Sequence, residues 1–352
     1  MVDAREGTMR LARLTSSVVA GSILFAAALG GDTAQAQQPM VKGWVKGKGY
    51  GWIWGPGDEI GALNAITEQK VMAALRIPKQ GRVYDLGVAY DRASFQWPGH
   101  SPAEVIAFRT PEGIKRQKDL GFMEGKKDAW HSSAVFISDN VGTQVDSLCH
   151  VTKGDDNHWY NGYKEADWGG NFGPRKACAD KMPPIVTRGV LIDVAGARGQ
   201  VPLPSQEEIG PDELRAVLQK QGVDVQPGDA VFIRTGILSL WGDYGHDKAR
   251  LAPHDSAGIN LAAAKWLVEE KGAVLIGADT SGLECTGKCW RRPEDFYPAH
   301  VYLLIEQGVY IGEFHNLEEL ARDKVYEFLY MVSVNKIRGA TAGFTLRPVA
   351  IR

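Results

Sequence analysis

Residues 139–150 read DNVGTQVDSLCH, and they follow a strand-like run at 134–138. Because side chains alternate along an extended chain, four positions of this stretch would share one face: Asn140, Gly142, Gln144 and Asp146. His150 lies four residues after Asp146, so the two would also share a face if a helix begins there. The stretch therefore predicts amides, a carboxylate and an imidazole around one small volume. Such a group is either a divalent-ion site or a turn with satisfied polar groups.

A second pair of candidate residues lies near the C-terminus. His300 precedes a helix-like stretch at 301–307, and Glu313 follows a strand-like run at 309–312. Taken singly, a histidine at a helix start and a glutamate at a strand end are usually surface groups. If this helix and strand bring both residues back to Asp146, they complete a set of metal ligands, which favours the ion-site interpretation.

The pattern around these residues alternates strands with helices. Strand-like runs occur at 83–87, 134–138, 189–194, 230–234, 273–277, 309–312 and 327–334. Helix-like stretches occur at 211–221, 260–271 and 301–307, and each is followed by a glycine suited to end a helix. This order predicts an α/β fold. No polar linker divides the chain after the N-terminal region, so we expect a single domain.

Composition excludes some classes of function. Of the 352 residues, 44% are hydrophobic and 23% are charged, which is typical of a globular protein. The formal net charge of −2 gives no basic excess, so a nucleic-acid partner is not expected. A phosphate loop is nearly matched at 282–288 (GLECTGK), but Cys289 follows where Ser or Thr is required. The serine-hydrolase pentapeptide Gly-x-Ser-x-Gly does not occur in the sequence.

The N-terminus has the features of a secretory signal. Arg10 and Arg13 precede an apolar run at 18–29, and Ala34-Gln35-Ala36 supplies a small-x-small cleavage site. We therefore expect residues 1–36 to be a signal peptide, with an uncleaved anchor as the alternative. Residues 37–53 are then an irregular N-terminal arm, 54–352 form the domain, and the mature protein is periplasmic or secreted with no membrane segment.

Export bears on the four cysteines. Cys149, Cys178, Cys285 and Cys289 would meet an oxidising compartment, where disulfides persist. Four cysteines allow three pairings, and the sequence does not choose among them, although a bridge between Cys285 and Cys289 would close only a small loop. The alternative is a structural zinc site made of four thiolates.

The stretch 140–150 resembles the signature of the cyclase family of metal-dependent hydrolases, which includes kynurenine formamidase (arylformamidase) and isatin hydrolase. That signature is His-x-Gly-Thr-His-x-Asp-x-Pro-x-His, and Gly142, Thr143, Asp146 and His150 agree with it. Residues 300–308 (HVYLLIEQG) and Glu313 resemble the family's distal motif. Four further stretches resemble its longer members: 54–64 (WGPGDEIGALN), 188–193 (RGVLID), 228–236 (GDAVFIRTG) and 277–280 (GADT).

The resemblance implies a role for each candidate residue. Asp146, His300 and Glu313 would be metal ligands, Gln144 a further ligand, and Asn140 a ligand of the metal or the substrate. His150 would carry the proton. Asn140 and Gln144 stand where the signature has histidines, and Leu148 stands where it has proline. Replacing imidazoles by amides makes the site harder, which favours manganese or another oxygen-preferring ion, with zinc as the alternative.

The resemblance also implies a fold and an activity. The fold would be a single domain of the swivelling β/β/α type, with a mixed sheet and flanking helices, assembled as a homo-oligomer (dimer or tetramer). A metal-activated water would cleave an amide-like bond, an aryl formamide or a cyclic amide, in a small molecule. The family's usual context is arylformamidase action in tryptophan breakdown. Aromatic residues could form the wall of a substrate pocket, the candidates being Trp52, Trp97, Trp159 and Tyr160. A catalytically inactive binding relative and a metal-dependent lactonase or lyase are the alternatives.

Overall fold

The computed structural model describes residues 42–92, 94–96, 98–100, 103–242, 247, 251, 256–289 and 296–352. The predicted signal peptide, residues 1–36, and Trp97 lie outside these described residues. Residues 42–352 belong to one compact unit. The strands of the described part are β1 (Val83–Asp85), β2 (Ala103–Arg109), β3 (Ser132–Ile137), β4 (Gln144–Asp146), β5 (Ile185–Asp193), β6 (Glu208–Ile209), β7 (Ala230–Arg234), β8 (Gly258–Ile259), β9 (Leu275–Ala278), β10 (Tyr310–Glu313), β11 (Glu327–Val332), β12 (Ala342–Gly343) and β13 (Val349–Ile351).

Helices flank these strands. They are α1 (Glu68–Ala74), α2 (Pro111–Lys115), α3 (Glu165–Trp168), α4 (Val194–Arg198), α5 (Pro211–Gln221), α6 (Leu261–Lys265), α7 (Pro298–His300) and α8 (Glu318–Arg322). Two of them continue as wider π-helical turns, α6 through Trp266–Glu270 and α7 through Val301–Gln307. None of the described helices is long and apolar enough to cross a membrane.

One mixed sheet carries the fold. Within the described residues it has nine strands in the order β1-β13-β11-β5-β7-β9-β10-β4-β12. Strands β5, β7, β9 and β10 run parallel, whereas β4 pairs antiparallel with β10 and with β12. The parallel strands β7, β9 and β10 are buried along their whole length, because helices cover both faces of such a sheet. The predicted α/β class, with a mixed sheet and flanking helices, is confirmed.

The longer predicted elements are confirmed, and two local expectations are wrong. Helix α5 occupies the predicted span and ends at Gly222, whose φ of 71° suits a left-handed cap. The stretch 140–146 is extended only over β4, and 147–150 is a turn rather than the start of a helix. The physical reason is long-range pairing, since the backbone amide of Ser147 donates to the carbonyl of Thr341, beside β12. Asp146 and His150 therefore share no helix face.

Side chains and disulfides attach the loops to the domain. Residues 42–53 contain no regular strand or helix, and Tyr50 is buried with its hydroxyl donating to the carbonyl of Gly272. The cysteines pair as Cys149–Cys178 and Cys285–Cys289, so the four-thiolate zinc site is wrong.

Candidate functional site

The pairing of β4 with β10 places the first site residues. Gln144 lies directly opposite Glu313, and Asp146 lies opposite Ile311 two residues along the same face. Gly142 makes the turn into β4 with a φ of 70°, and a Cβ there would lie 3.1 Å from the ring of Tyr90. The backbone conformation therefore favours glycine, and any larger residue would also require the Tyr90 ring to shift by a few tenths of an ångström.

His300 comes from the other side of the site, at the end of α7. The Glu284 carboxylate accepts from the backbone amides of Ala299 and His300 at 3.1 and 2.9 Å, and its Oε1 lies 2.7 Å from His300 Nδ1. Tyr297 precedes α7 with a φ of 50°, a conformation costly for an aromatic residue, and its ring packs edge-on against His300 at 4.9 Å. Glu284 thus fixes the imidazole so that its Nε2 remains for the site.

Asp146, His300 and Glu313 form a buried cluster. One donor atom from each lies within 4.8 Å of the others. The His300 Nε2 is 3.5 Å from Glu313 Oε1 and 3.9 Å from Asp146 Oδ2. The distances are too long for good hydrogen bonds and leave room for an ion between the three groups. The structure therefore brings together three of the residues expected to be ligands.

Burial and charge shift the pKa values in this cluster. Burial, and then the charge of Asp146, raise the pKa of Glu313 to about 8. Burial opposes the charge of His300, but the hydrogen bond to Glu284 and the nearby carboxylates of Glu284 and Glu313 outweigh burial and raise the pKa of His300 to about 10. With nothing else bound, both residues hold protons that a cation would have to displace.

Gln144 lies beside the cluster with its amide nitrogen facing the acids. Nε2 donates to Glu313 Oε2 at 2.7 Å, and lies 3.2 Å from Asp146 Oδ1 and 3.1 Å from Asn140 Oδ1. Gln144 Oε1 and Asp146 Oδ2 are buried and, among the described residues, have no hydrogen-bond partner. Such orphaned acceptors are costly unless something binds them. Carboxylate and amide oxygens with one imidazole suit a hard divalent ion, so the residues present fit a divalent metal.

Asn140 is turned away from the cluster. Its Oδ1 accepts from Gln144, and its Nδ2 donates to Asp139 Oδ1 at 2.8 Å. Asp139 Oδ2 in turn accepts from the backbone amide and the hydroxyl of Thr341, at 2.5 and 3.1 Å. As placed, Asn140 supports Gln144, and Gln144 would reach an ion through Oε1 only if its amide rotated.

His150 stands at the mouth of the site. Its Nδ1 lies 3.4 Å from the hydroxyl of Thr341. That hydroxyl has one proton, which the Asp139 carboxylate accepts most strongly, so it receives a hydrogen bond from Nδ1–H. Nε2 of His150 is then the ring nitrogen that Thr341 does not contact. His100 packs edge-on against His150 at 6.3 Å, and burial and the charge of His150 lower the pKa of His100.

A cavity of about 270 Å³ opens onto the cluster. It is lined by His100, His150, Val151, Thr152, Ser281, Phe296, Tyr297, His300, Val301 and Glu313. The expected aromatic pocket is therefore built by Phe296 and Tyr297. The structure places Trp159 and Tyr160 in the hydrophobic core and Trp52 against Tyr160, so the expectation is wrong for these three.

Two stretches singled out in the sequence stabilise the fold rather than contacting the cavity. In residues 54–64, Asp58 accepts from the backbone of Gly61 and from the side chains of Asn64 and Tyr160. In residues 277–280, Asp279 is fully buried and accepts from the backbone of Thr235 and Gly236 at 2.8 and 2.6 Å. Sequence reasoning missed Glu284, Thr341 and Asp139, because their roles depend on contacts between segments far apart in the chain.

Comparison with known proteins agrees with this architecture. The model of the Cyclase family matches residues 84–285. A crystal structure described as a novel cyclase superposes with a TM-score of 0.72 at 28% identity, covering 85% of this chain and 98% of its own. Isatin hydrolase A from Ralstonia solanacearum gives a TM-score of 0.56 at 19% identity, and the alignment covers 80% of this chain and 94% of that enzyme. The enzyme of the same name from Labrenzia aggregata gives a TM-score of 0.54 at 19% identity, and the alignment covers 76% of this chain and 93% of that enzyme. Comparison with curated proteins gave no match.

Proposed function

The chain belongs to the cyclase family, and on this basis and the geometry of its site we propose that it is a metal-dependent hydrolase of a small-molecule amide-like bond. The observation that carries the proposal is the cluster of Asp146, His300 and Glu313, buried yet opening onto a cavity that also contains His150. A purely structural polar network would pair Asp146 Oδ2, which is buried, lies 3.9 Å from His300 Nε2 and has no hydrogen-bond partner among the described residues.

We propose that the cluster binds one divalent ion, manganese or zinc. When bound, such an ion lowers the pKa of a coordinated water and polarises a carbonyl. Asp146, His300 and Glu313 would hold it, and Glu284 orients the imidazole by accepting from Nδ1. Gln144 stabilises the Glu313 carboxylate by donating a hydrogen bond from its amide nitrogen, and it remains a candidate ligand through Oε1.

His150 is proposed to move the proton. Its Nδ1–H is directed at Thr341, so Nε2 can take a proton from the attacking water and deliver it to the leaving nitrogen. The water oxygen bonds to the carbonyl carbon and the C–N bond then breaks, which gives a carboxylic acid and an amine; the two groups stay in one molecule when the amide is cyclic. The Phe296 and Tyr297 side chains give the cavity an aromatic wall suited to an aryl or fused-ring substrate.

The proposed substrate class is therefore an aryl formamide or a cyclic amide. Isatin hydrolases, whose fold this chain shares, act by name on one such cyclic amide. Two other functions are distinguishable by assay: a lactonase or lyase, and a relative that binds its ligand without turnover. Exchange of the signature histidines for Asn140 and Gln144 is the feature that favours the inactive relative.

The test is a substrate panel with the mature protein, residues 37–352, reloaded with manganese or with zinc. The panel contains an aryl formamide, an isatin-like cyclic amide and a lactone, and Asp146→Asn serves as the matched inactive variant. Turnover of either amide that disappears in Asp146→Asn supports the proposal. Turnover of the lactone alone, or stoichiometric binding without turnover, would contradict it.

We also propose that the protein is exported and that residues 1–36 are removed. The two disulfides, Cys149–Cys178 and Cys285–Cys289, are of the kind that persists in an oxidising compartment. Intact mass of protein recovered from the periplasm or medium tests this. A mature chain beginning at Gln37 is expected, and a mass that still includes residues 18–29 would contradict it.

A further inference from the structure

The carboxylate that orients His300 is held by a small part of the fold outside the nine-stranded sheet. The backbone on both sides of Glu284 bonds to β8, because Ile259 N donates to the Leu283 carbonyl at 3.2 Å and Cys285 N donates to the Ile259 carbonyl at 3.0 Å. Strand β8 pairs with β6 in a sheet of two strands, each two residues long. A two-stranded sheet is at best marginally stable by itself. The position of Glu284 therefore depends on more than this strand pairing.

The disulfide Cys285–Cys289 provides a further restraint. Cys285 directly follows Glu284, and the bridge joins it to a residue four positions along the chain. The sulfur of Cys289 lies 3.8 Å from the carbonyl oxygen of Gln206, which stands just before β6. The bridge therefore ties the segment that carries Glu284 to the chain that enters the other strand of the same small sheet.

The two disulfides differ in how easily a thiol can reach them. Cys149 and Cys178 are 4% and 0% exposed, whereas Cys289 is partly exposed and only its partner Cys285 is buried. Thiol–disulfide exchange begins when a thiolate attacks an accessible sulfur. The sulfur of Cys289 is therefore the one that a small thiol such as glutathione would attack first.

We propose, on the basis of the metal-dependent function above, that the Cys285–Cys289 disulfide is a positioning element of the metal site and that the site binds its ion tightly only while this bridge is closed. Two glutathione thiols open the bridge. The first forms a mixed disulfide with Cys289 and releases the sulfur of Cys285, and the second releases Cys289 and gives glutathione disulfide. The bridge gains the two electrons and two protons that the two glutathione molecules lose. The open segment then lets Glu284 move relative to α7, so the imidazole of His300 is held less firmly toward the other ligands.

Metal and bridge are then coupled in both directions. If closing the bridge raises the affinity for an ion by some factor, the bound ion must resist opening of the bridge by the same factor, because both equilibria belong to one thermodynamic cycle. Removing the outer partner of a metal ligand typically lowers metal affinity by about 10–100-fold. Loosening Glu284 without removing it should have a smaller effect, roughly 3–10-fold. In an oxidising compartment the bridge stays closed and the site keeps its ion.

The first test measures how far manganese protects each bridge from reduction. The oxidised mature chain is equilibrated with a series of glutathione to glutathione disulfide ratios, without metal and with saturating manganese, an ion for which thiolates have little preference. Free thiols are alkylated and located by peptide mass. Manganese should shift the opening of Cys285–Cys289 by roughly 3–10-fold toward more reducing conditions, and it should cause no shift in Asp146→Asn. The absence of a shift would overturn the proposal, and so would an equal shift of Cys149–Cys178, which would indicate general stabilisation of the fold.

The second test compares two variants by chelator competition for manganese. Cys285→Ala/Cys289→Ala should bind manganese roughly 3–10-fold more weakly than the unmodified chain. Cys149→Ala/Cys178→Ala is the matched control and should bind as the unmodified chain does, because β4, which carries Asp146, is paired on both sides within the main sheet. Thermal unfolding of the metal-free proteins checks that both variants are folded, and the glutathione equilibrium of the unmodified chain decides the matter if either is not.

The outcomes separate this inference from the proposed function. Unchanged manganese affinity in a folded Cys285→Ala/Cys289→Ala protein would overturn the role of the bridge and leave the metal-dependent function standing. An unmodified, oxidised chain that binds neither manganese nor zinc would overturn both.

Discussion

Replacing Glu284 by glutamine should weaken metal binding without unfolding the protein. Glu284 is buried, and its carboxylate accepts from His300 Nδ1 and from the amides of Ala299 and His300. In Glu284→Gln one carboxylate oxygen becomes an amide nitrogen, which cannot accept a hydrogen bond from Ala299. The imidazole loses its negatively charged partner, although the remaining amide oxygen can still accept from Nδ1. Outer partners of this kind typically contribute about 10–100-fold to metal affinity, or ~1.4–2.8 kcal/mol.

The assay is competition with a chromophoric chelator for manganese and for zinc, at one pH and ionic strength. Glu306→Gln is the matched control, because Glu306 follows α7 in the same helix but makes only a half-exposed ion pair with Lys153. Its metal affinity should equal that of the unmodified chain. Thermal unfolding of the metal-free proteins checks that Glu284→Gln is folded. A folded Glu284→Gln protein whose affinities lie within about twofold of the unmodified chain would refute the reasoning.

Three further outcomes are expected. Asp146→Asn should lose metal and activity together, whereas His150→Ala should keep its metal and lose about 10²–10⁴-fold in turnover. Equal loss of metal in both variants would show that His150 is a ligand. Thr341→Val should lower kcat by ~10–100-fold at unchanged metal content, and Thr341→Ser should have a kcat close to that of the unmodified chain. An unchanged kcat in the valine variant would show that Thr341 does not position His150. Burial lowers the pKa of His315 to about 4, so the unfolded chain binds this proton at a higher pH than the folded protein does. The free energy of unfolding should therefore fall by about 3 kcal/mol as the pH drops from ~6.5 through 4. Denaturation curves of His315→Gln should lack this pH dependence.

The sequence predicts the framework better than the contacts between its parts. Strand β7 and helix α5 were predictable to the residue, because a short apolar run and a helix ended by glycine are local signals. Strands β4 and β12 are only two or three residues long, and they exist because they pair with segments some 170–200 residues away. No local pattern contains that information. The same pairing turned the expected helix start at Ser147 into a turn.

The sequence predicted which of these residues would lie together, but it did not predict how their side chains are oriented. Asp146, His300 and Glu313 converge as the resemblance implied, whereas Gln144 faces the acids with its nitrogen and Asn140 faces Asp139. Spacing along a strand fixes which face a side chain occupies, and it does not fix which end of an amide points at a neighbour. The role of Glu284 was not predicted for another reason. It lies in a glycine-containing loop whose sequence resembles a phosphate loop, and that pattern does not indicate a partner for His300.

Charge is the physical reason to expect a cation at this site. Asp146, Glu284 and Glu313 place three carboxyl groups around a single imidazole, all of them buried. Burying an uncompensated charge is costly, and the elevated pKa values of Glu313 and His300 show that the fold recruits protons to limit that cost. A divalent ion supplies the same compensation with two charges at one point, so it competes directly with those protons. Metal uptake should therefore release protons, and the site should bind its ion more tightly as the pH rises.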